Sequence, residues 1–120
     1  MNLKKIIVVD DEEDIRNSVK NILEDNKFEV KTSENGKDFI KKISKEKFDL
    51  IILDVLMPGL TTKEIITELK KKKIKTPIIF LTVVRLADQT KETITPQMID
   101  YIEKPFDNSD LIDRVKKALK

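Results

Sequence analysis

Five polar residues at widely separated positions have side chains that could bind a cation and support phosphoryl transfer: Asp10, Asp11, Asp54, Thr82 and Lys104. Three carboxylates brought together repel one another and need a compensating cation. The sequence contains no His and no Cys, so an all-oxygen site for a hard divalent ion such as Mg²⁺ fits the side chains at hand. This chemistry requires a fold that brings the five residues to one place.

Asp54 is the predicted nucleophile of the set. It follows the apolar run 50–53 and precedes the turn at Pro58-Gly59, and carboxylates can form acyl-phosphate intermediates. Thr82 could donate a hydrogen bond to a phosphoryl oxygen, and Lys104 could bring a positive charge to another. A lone Asp before a turn often only caps the loop, so the interpretation depends on the other four residues.

Apolar runs and amphipathic segments alternate along the whole chain. Strands are predicted at 6–9, 28–32, 50–53, 78–81 and 98–102. Helices are predicted from the acidic run 10–14 to about 26, around 39–43, after a capping box at 61–64, at about 86–94 for a short irregular helix, and from 108 or 109 onward. Residues 1–120 then form a single domain. Strict strand–helix alternation predicts an α/β fold, a doubly wound five-stranded parallel sheet of order 2-1-3-4-5.

That strand order predicts where the five polar residues meet. The carboxyl ends of the first, third and fourth strands lie side by side at the switch point of such a sheet. Asp10, Asp11, Asp54 and Thr82 follow or end these strands, and Lys104 follows the fifth. We therefore expect all five at one edge of the sheet.

Composition narrows the classes of partner. The 24 basic and 22 acidic residues give a net charge of +2, which is too weak a bias to predict nucleic-acid binding by this domain. The lysine run 70–73 is assigned to a helix C-terminus, where cations are favoured. No apolar stretch approaches the roughly 20 residues of a membrane span. The chain starts directly with a strand rather than a signal peptide, so a cytoplasmic location is predicted.

The ordered set Asp10-Asp11, Asp54 in an Asp-x-x-Met-Pro context, Thr82, and Lys104-Pro105-Phe106 resembles the receiver domain of two-component response regulators. The resemblance covers nearly the whole chain and implies a flavodoxin-like fold of the CheY-like superfamily. It implies a phosphoacceptor that catalyses only its own phosphorylation and dephosphorylation. A partner histidine kinase or phosphotransfer protein would donate its phosphoryl group to Asp54.

The resemblance also implies roles for single residues. Asp11, Asp54 and the backbone carbonyl of Leu56 would bind Mg²⁺, with Asp10 acting directly or through water. Thr82 and Tyr101 would form a coupled switch, and the Lys104-Pro105 peptide would be cis.

Two surfaces are implied in the same way. Ile15, Pro105 and Phe106 would contribute to docking of the phosphodonor. The face formed by the predicted fourth helix, fifth strand and last helix would be the output or dimer surface, with the downstream target unknown and a phosphorylation-dependent homodimer left open.

Several residues depart from the family pattern. Val83 replaces a usually small residue and is expected to narrow access to Asp54, Thr62 stands where Gly is usual, and Gln97-Met98 replaces a frequent Gly-Ala. Gly59 is expected to carry the turn that Thr62 would not favour. Leu56 and Val84 are apolar at the positions that flank the attacking water, so slow self-dephosphorylation is expected.

Alternative functions differ from the receiver in the residues that they require. A phosphorylation-independent interaction module could share the fold. A phosphatase with an Asp nucleophile usually carries a second Asp two residues later, and here that residue is Leu56. Flavin binding would need a phosphate-cradling loop after the first strand, where this chain has acids. Because the last helix ends the sequence, we expect no attached output domain, in a stand-alone protein or a receiver excised from a longer chain.

Overall fold

In a computed structural model, residues 3–55, 57–83 and 97–120 of the chain are described. The described strands are β1 (Lys5–Val9), β2 (Glu29–Ser33), β3 (Leu50–Leu53), β4 (Ile78–Thr82) and β5 (Met98–Glu103). The described helices are α1 (Glu13–Asp25), α2 (Gly36–Lys45), α3 (Thr62–Lys71) and α4 (Asn108–Ala118). The predicted short helix at 86–94 lies outside the described residues. The helix labelled α4 therefore corresponds to the last of the five predicted helices.

The five strands form one parallel sheet of order β2-β1-β3-β4-β5, which confirms the predicted topology. Val9 pairs with Leu53, and Leu53 pairs with Phe80. All the strands point the same way, so the residues that follow them meet at one edge. None of the helices in the described ranges is long and apolar enough to cross a membrane.

Helices cover both faces of the sheet, which explains why the central strands are apolar without alternation. On one face, α1 and α4 pack through a cluster that includes Val19, Leu23, Leu111 and Val115. On the other, α2 and α3 pack through a cluster that includes Phe39, Ile43, Ile65 and Leu69. Every residue of β3 and β4 is buried, and each fully buried aliphatic side chain contributes about 1.5–3 kcal/mol.

The loop from β3 to α3 is fixed by local hydrogen bonds. The predicted capping box is present: the Glu64 amide donates to the Thr61 hydroxyl at 3.1 Å, and the Thr61 amide donates to the Glu64 carboxylate at 2.9 Å. The hydrogen bond from the Thr61 amide lowers the pKa of Glu64. Gly59 has a φ of +93° and carries the turn, as expected. The Thr62 hydroxyl donates to the Val55 carbonyl at 3.1 Å, so Thr at this position closes the loop.

A lysine in the left-handed conformation lies two residues past the last residue of α1 and of α3. Lys27 has a φ of 70° and Lys73 a φ of 58°. In α1 the amides of Lys27 and Phe28 donate to the carbonyls of Glu24 and Leu23, which is the Schellman pattern. Glycine usually occupies this position because a side chain is strained there.

Replacing Lys27 with Gly is therefore expected to stabilise the protein. The gain should be about 0.5–1 kcal/mol, since relief of strain is partly offset by the greater entropy of the unfolded chain. Urea denaturation measures it. The control is Lys72→Gly. Lys72 has a φ of −85°, so Gly relieves no backbone strain there and should destabilise the protein. A loss of stability in both variants would contradict the strain argument.

Candidate functional site

Three carboxylates meet at the carboxyl edge of the sheet. Asp10 follows β1 and Asp54 follows β3, and the Asp54 amide donates to the Val9 carbonyl at 3.0 Å. One carboxylate oxygen from each of Asp10, Asp11 and Asp54 lies within 4.8 Å of the other two. Asp10 and Asp54 are buried, at 1% and 4% exposure, whereas Asp11 is exposed. The structure thus brings together the three acids that the sequence analysis singled out.

Lys104 brings a buried ammonium group into this cluster. Its Nζ lies 2.7 Å from Oδ2 of Asp10, 3.5 Å from Oδ2 of Asp54 and 4.0 Å from Oε1 of Glu12. The Lys104 amide donates to the Thr82 carbonyl at 2.9 Å, which fixes the residue at the end of β5. The Lys104-Pro105 peptide is cis, as expected.

The charge of Lys104 is stabilised by its surroundings. Burial by itself lowers the pKa of this ammonium group, but the hydrogen bond to Asp10 and the charge of Asp54 outweigh burial, so the pKa lies above its ordinary value. Lys104 is therefore a cation at neutral pH.

Asp10 is held by hydrogen bonds to both its side chain and its main chain. Its Oδ1 accepts from the Glu12 amide at 2.9 Å and its Oδ2 accepts from Lys104. Its carbonyl oxygen accepts from the Arg16 side chain at 2.9 Å. Arg16 was not among the predicted site residues. Its place in the first turns of α1 put it within reach of the preceding loop, but residue types do not reveal a main-chain acceptor.

Thr82 and Tyr101 lie on adjacent strands. Thr82 ends β4 and is 1% exposed, at the same edge as the acids. Tyr101 of β5 is half-buried against the cluster that contains Phe80, and its hydroxyl donates to Glu103 at 3.3 Å. The coupled switch of Thr82 and Tyr101 stays a prediction.

The structure describes some of the other predicted positions. Ile15 and Phe106 are half-buried against the core cluster of α1 and α4, and Pro105 is exposed. Val83 is 61% exposed. Leu56 and Val84 lie outside the described residues, so the carbonyl ligand and the pair that would flank the attacking water stay predictions.

The donor set fits a hard divalent cation. Three carboxylates against one ammonium group leave an excess of negative charge, and every cation ligand in the cluster is an oxygen. Both oxygens of Asp10 already accept hydrogen bonds. The Asp11 carboxylate accepts none within the described ranges. Asp11 is therefore better placed than Asp10 to hold a cation directly.

Comparison with known proteins gives a family match over most of the chain. The sequence model of the response regulator receiver domain matches residues 6–116. The transcriptional regulatory protein PhoP of Bacillus subtilis, which by its name controls alkaline phosphatase synthesis, is 37% identical over 120 residues. That match covers 98% of this chain and 49% of PhoP. The chain thus spans about half the length of this curated relative.

Two solved structures match this chain over the full length of their own chains. The response regulator TrrA of Thermotoga maritima, solved in complex with Mg²⁺ and BeF, has a TM-score of 0.85 and 37% identity, covering 98% of this chain and 100% of TrrA. The chemotaxis protein CheY4 of Vibrio cholerae has a TM-score of 0.88 and 31% identity, with coverage of 98% and 100%.

Proposed function

Since this chain belongs to the response regulator receiver domain family, we propose that it is a phosphoacceptor whose Asp54 receives a phosphoryl group from a partner's phosphohistidine. The convergence of three acids and one buried lysine at the carboxyl edge of the sheet carries this proposal. The partner is a histidine kinase or a phosphotransfer protein of the cytoplasm, and residues 1–120 act as one receiver domain.

The proposed step exchanges one phosphorus bond for another. An oxygen of the Asp54 carboxylate attacks phosphorus, the P–N bond to the partner's imidazole breaks, and the imidazole nitrogen keeps the bonding electron pair and takes up a proton from solvent water. An acyl phosphate forms on Asp54. Asp11, Asp54 and the backbone carbonyl of Leu56 would hold Mg²⁺. When bound there, the ion would neutralise charge on the phosphoryl oxygens.

Two side chains would stabilise the transferred group. The Lys104 ammonium, 3.5 Å from Asp54 Oδ2, pairs with a phosphoryl oxygen, and the Thr82 hydroxyl donates to another. Movement of Thr82 towards the phosphoryl group would let Tyr101 turn inward and change the surface of β5 and α4. That surface would contact the downstream target or a second copy. Ile15, Pro105 and Phe106 would contact the phosphodonor.

The test is to incubate the purified protein with Mg²⁺ and a small acyl-phosphate donor and to weigh the intact chain. We expect one phosphoryl mass increment in the wild type and in Asp113→Asn, which alters an exposed acid of α4. No increment is expected in Asp54→Asn or with a chelator present. A wild type that never gains the increment would reject the phosphoacceptor in favour of a phosphorylation-independent interaction module.

The acyl phosphate is expected to be long-lived. Leu56 and Val84 offer no hydrogen-bonding side chain to orient a water for in-line attack. After removal of the donor, the mass increment should persist for minutes or longer with Mg²⁺ present, and Leu56→Asn should shorten its lifetime. Loss within seconds in the wild type would contradict the prediction.

A further inference from the structure

The side chain of Arg16 holds the main chain of the loop that carries two of the acids. One guanidinium N–H of Arg16 donates to the carbonyl oxygen of Asp10 at 2.9 Å. The Arg16 amide donates to the Glu12 carbonyl at 2.9 Å, so the side chain extends from a fixed helical turn. Arg16 thereby closes the loop between β1 and α1.

The held carbonyl belongs to the peptide unit that joins Asp10 to Asp11. Asp10 is fixed at its other polar atoms too, because its amide donates to the Ser33 carbonyl at 3.2 Å and its carboxylate is bound by Glu12 and Lys104. The Asp11 side chain is exposed, and within the described ranges nothing donates to its carboxylate. The direction of Asp11 therefore depends on the peptide unit that Arg16 holds.

The contact of Arg16 acts on geometry rather than on charge. Its partner is a neutral carbonyl, and in the described part of the chain its guanidinium forms no ion pair. A ligand that already faces its partner ligand loses less conformational freedom when a cation binds, and this raises affinity.

We propose that Arg16 is a positioning residue for the cation site, fixing the peptide between Asp10 and Asp11 so that the Asp11 carboxylate faces Asp54 before the cation binds. The inference rests on the proposed function, since the cation is the Mg²⁺ that phosphoryl transfer requires. It adds a residue of α1 to a site otherwise built at the ends of strands.

The first test measures Mg²⁺ affinity by titration calorimetry without a phosphodonor. Arg16→Ala should weaken binding about tenfold, as loss of a group that supports metal ligands commonly does. Arg16→Lys keeps one cationic donor and should recover part of the loss. Asn17→Ala alters an exposed neighbour on the same helix and should bind as the wild type does.

The second test follows amide hydrogen exchange in metal-free protein. The Glu12 amide donates to Asp10 Oδ1, so its protection reports the order of the loop. It should exchange faster in Arg16→Ala, while the amides of β1 stay protected. If Arg16→Ala does not fold, Arg16→Lys must show both effects in the same direction against Asn17→Ala.

The outcomes separate the two hypotheses. Arg16→Ala that binds Mg²⁺ within twofold of the wild type, with only a lower unfolding temperature, would overturn the inference and leave the phosphoacceptor intact. A phosphorylation rate of Arg16→Ala that stays low at saturating Mg²⁺ would also contradict the inference. Loss of a residue that positions a metal ligand should raise the Mg²⁺ concentration needed and leave the rate at saturation unchanged. A wild type that neither binds Mg²⁺ nor gains phosphate would reject the proposed function itself.

Discussion

Lys104→Met is expected to lower the rate of Asp54 phosphorylation by about 100-fold, the size of effect seen when one preorganised electrostatic donor is removed. Met keeps most of the apolar stem and removes the ammonium group. In Mg²⁺-free buffer the same variant should lose about 3 kcal/mol of unfolding free energy, because a buried ion pair loses one partner. Time-resolved intact mass and urea denaturation measure the two effects.

The size of the stability loss follows from the contacts of Lys104. Its side chain is 7% exposed and lies 2.7 Å from Asp10 and 3.5 Å from Asp54. Without it, two buried carboxylates face each other with no cation among the described residues to separate them. Because the pKa of Lys104 is raised, its stabilisation is fully present below the ordinary lysine value of about 10.4 and is lost as pH rises through the higher folded-state value.

Controls separate this effect from a general loss of charge. Lys63→Met removes an exposed lysine at the start of α3 and should change neither quantity appreciably. Added Mg²⁺ should return much of the stability of Lys104→Met, since a bound cation again offsets the carboxylates. Equal unfolding free energies for Lys104→Met and Lys63→Met would show that Lys104 does not hold the acids together.

The fold was predictable because local and global patterns agree in this chain. The unbroken apolar runs of β3 and β4 indicated strands covered on both faces, and the alternation in β2 indicated an edge strand. The capping box at Thr61 and Glu64 marked the start of α3. Alternating strands and helices left few topologies, and the one predicted is the one found.

The placement of the five polar residues followed from topology rather than from any local motif. Asp10 and Lys104 are 94 positions apart in sequence, yet they are in contact at 2.7 Å. Once the strand order was fixed, each residue that ended or followed a strand had to lie at one edge. The sequence could not show which acid the Lys104 ammonium group contacts more closely. In the structure its Nζ lies nearer to Asp10 than to Asp54.

Contacts to main-chain atoms were not predictable. The acceptor of Arg16 is a carbonyl, and every residue has one. The left-handed lysines at the ends of α1 and α3 were missed for a related reason, because Gly is the usual signal for that conformation and the chain contains two Gly in all. Side-chain identity says little where the backbone is the partner.

Crowding of the three acids leads to a second large effect, in which loss of function raises stability. In metal-free buffer Asp54→Asn is expected to stabilise the protein by about 1–2 kcal/mol, since it removes a buried negative charge that Asp10 and Asp11 repel, and Lys104 lies 3.5 Å from that charge. Asn keeps an acceptor oxygen of the same size. Phosphorylation should be abolished in this variant.

Asp10→Asn is the matched comparison, and it is expected to destabilise the protein. Asp10 holds Lys104 at 2.7 Å and accepts from the Glu12 amide, so its attractive contacts outweigh its repulsion. Chemical denaturation in the presence of a chelator should therefore give Asp54→Asn a higher unfolding free energy than the wild type, and Asp10→Asn a lower one. A gain in both variants would mean that repulsion dominates at both positions and that the Lys104 contact contributes little.

Mg²⁺ should reverse the order of the unfolding free energies of the wild type and Asp54→Asn. A ligand that binds only the folded state stabilises it by about 1.4 kcal/mol at ten times its dissociation constant, and by about 2.7 kcal/mol at one hundred times. The wild type gains this increment, whereas Asp54→Asn has lost one of the acids that hold the ion. The two unfolding free energies should therefore cross as Mg²⁺ is raised. Parallel curves would show that Asp54 does not contribute to the cation site, and the proposed chemistry at this residue would lose its basis.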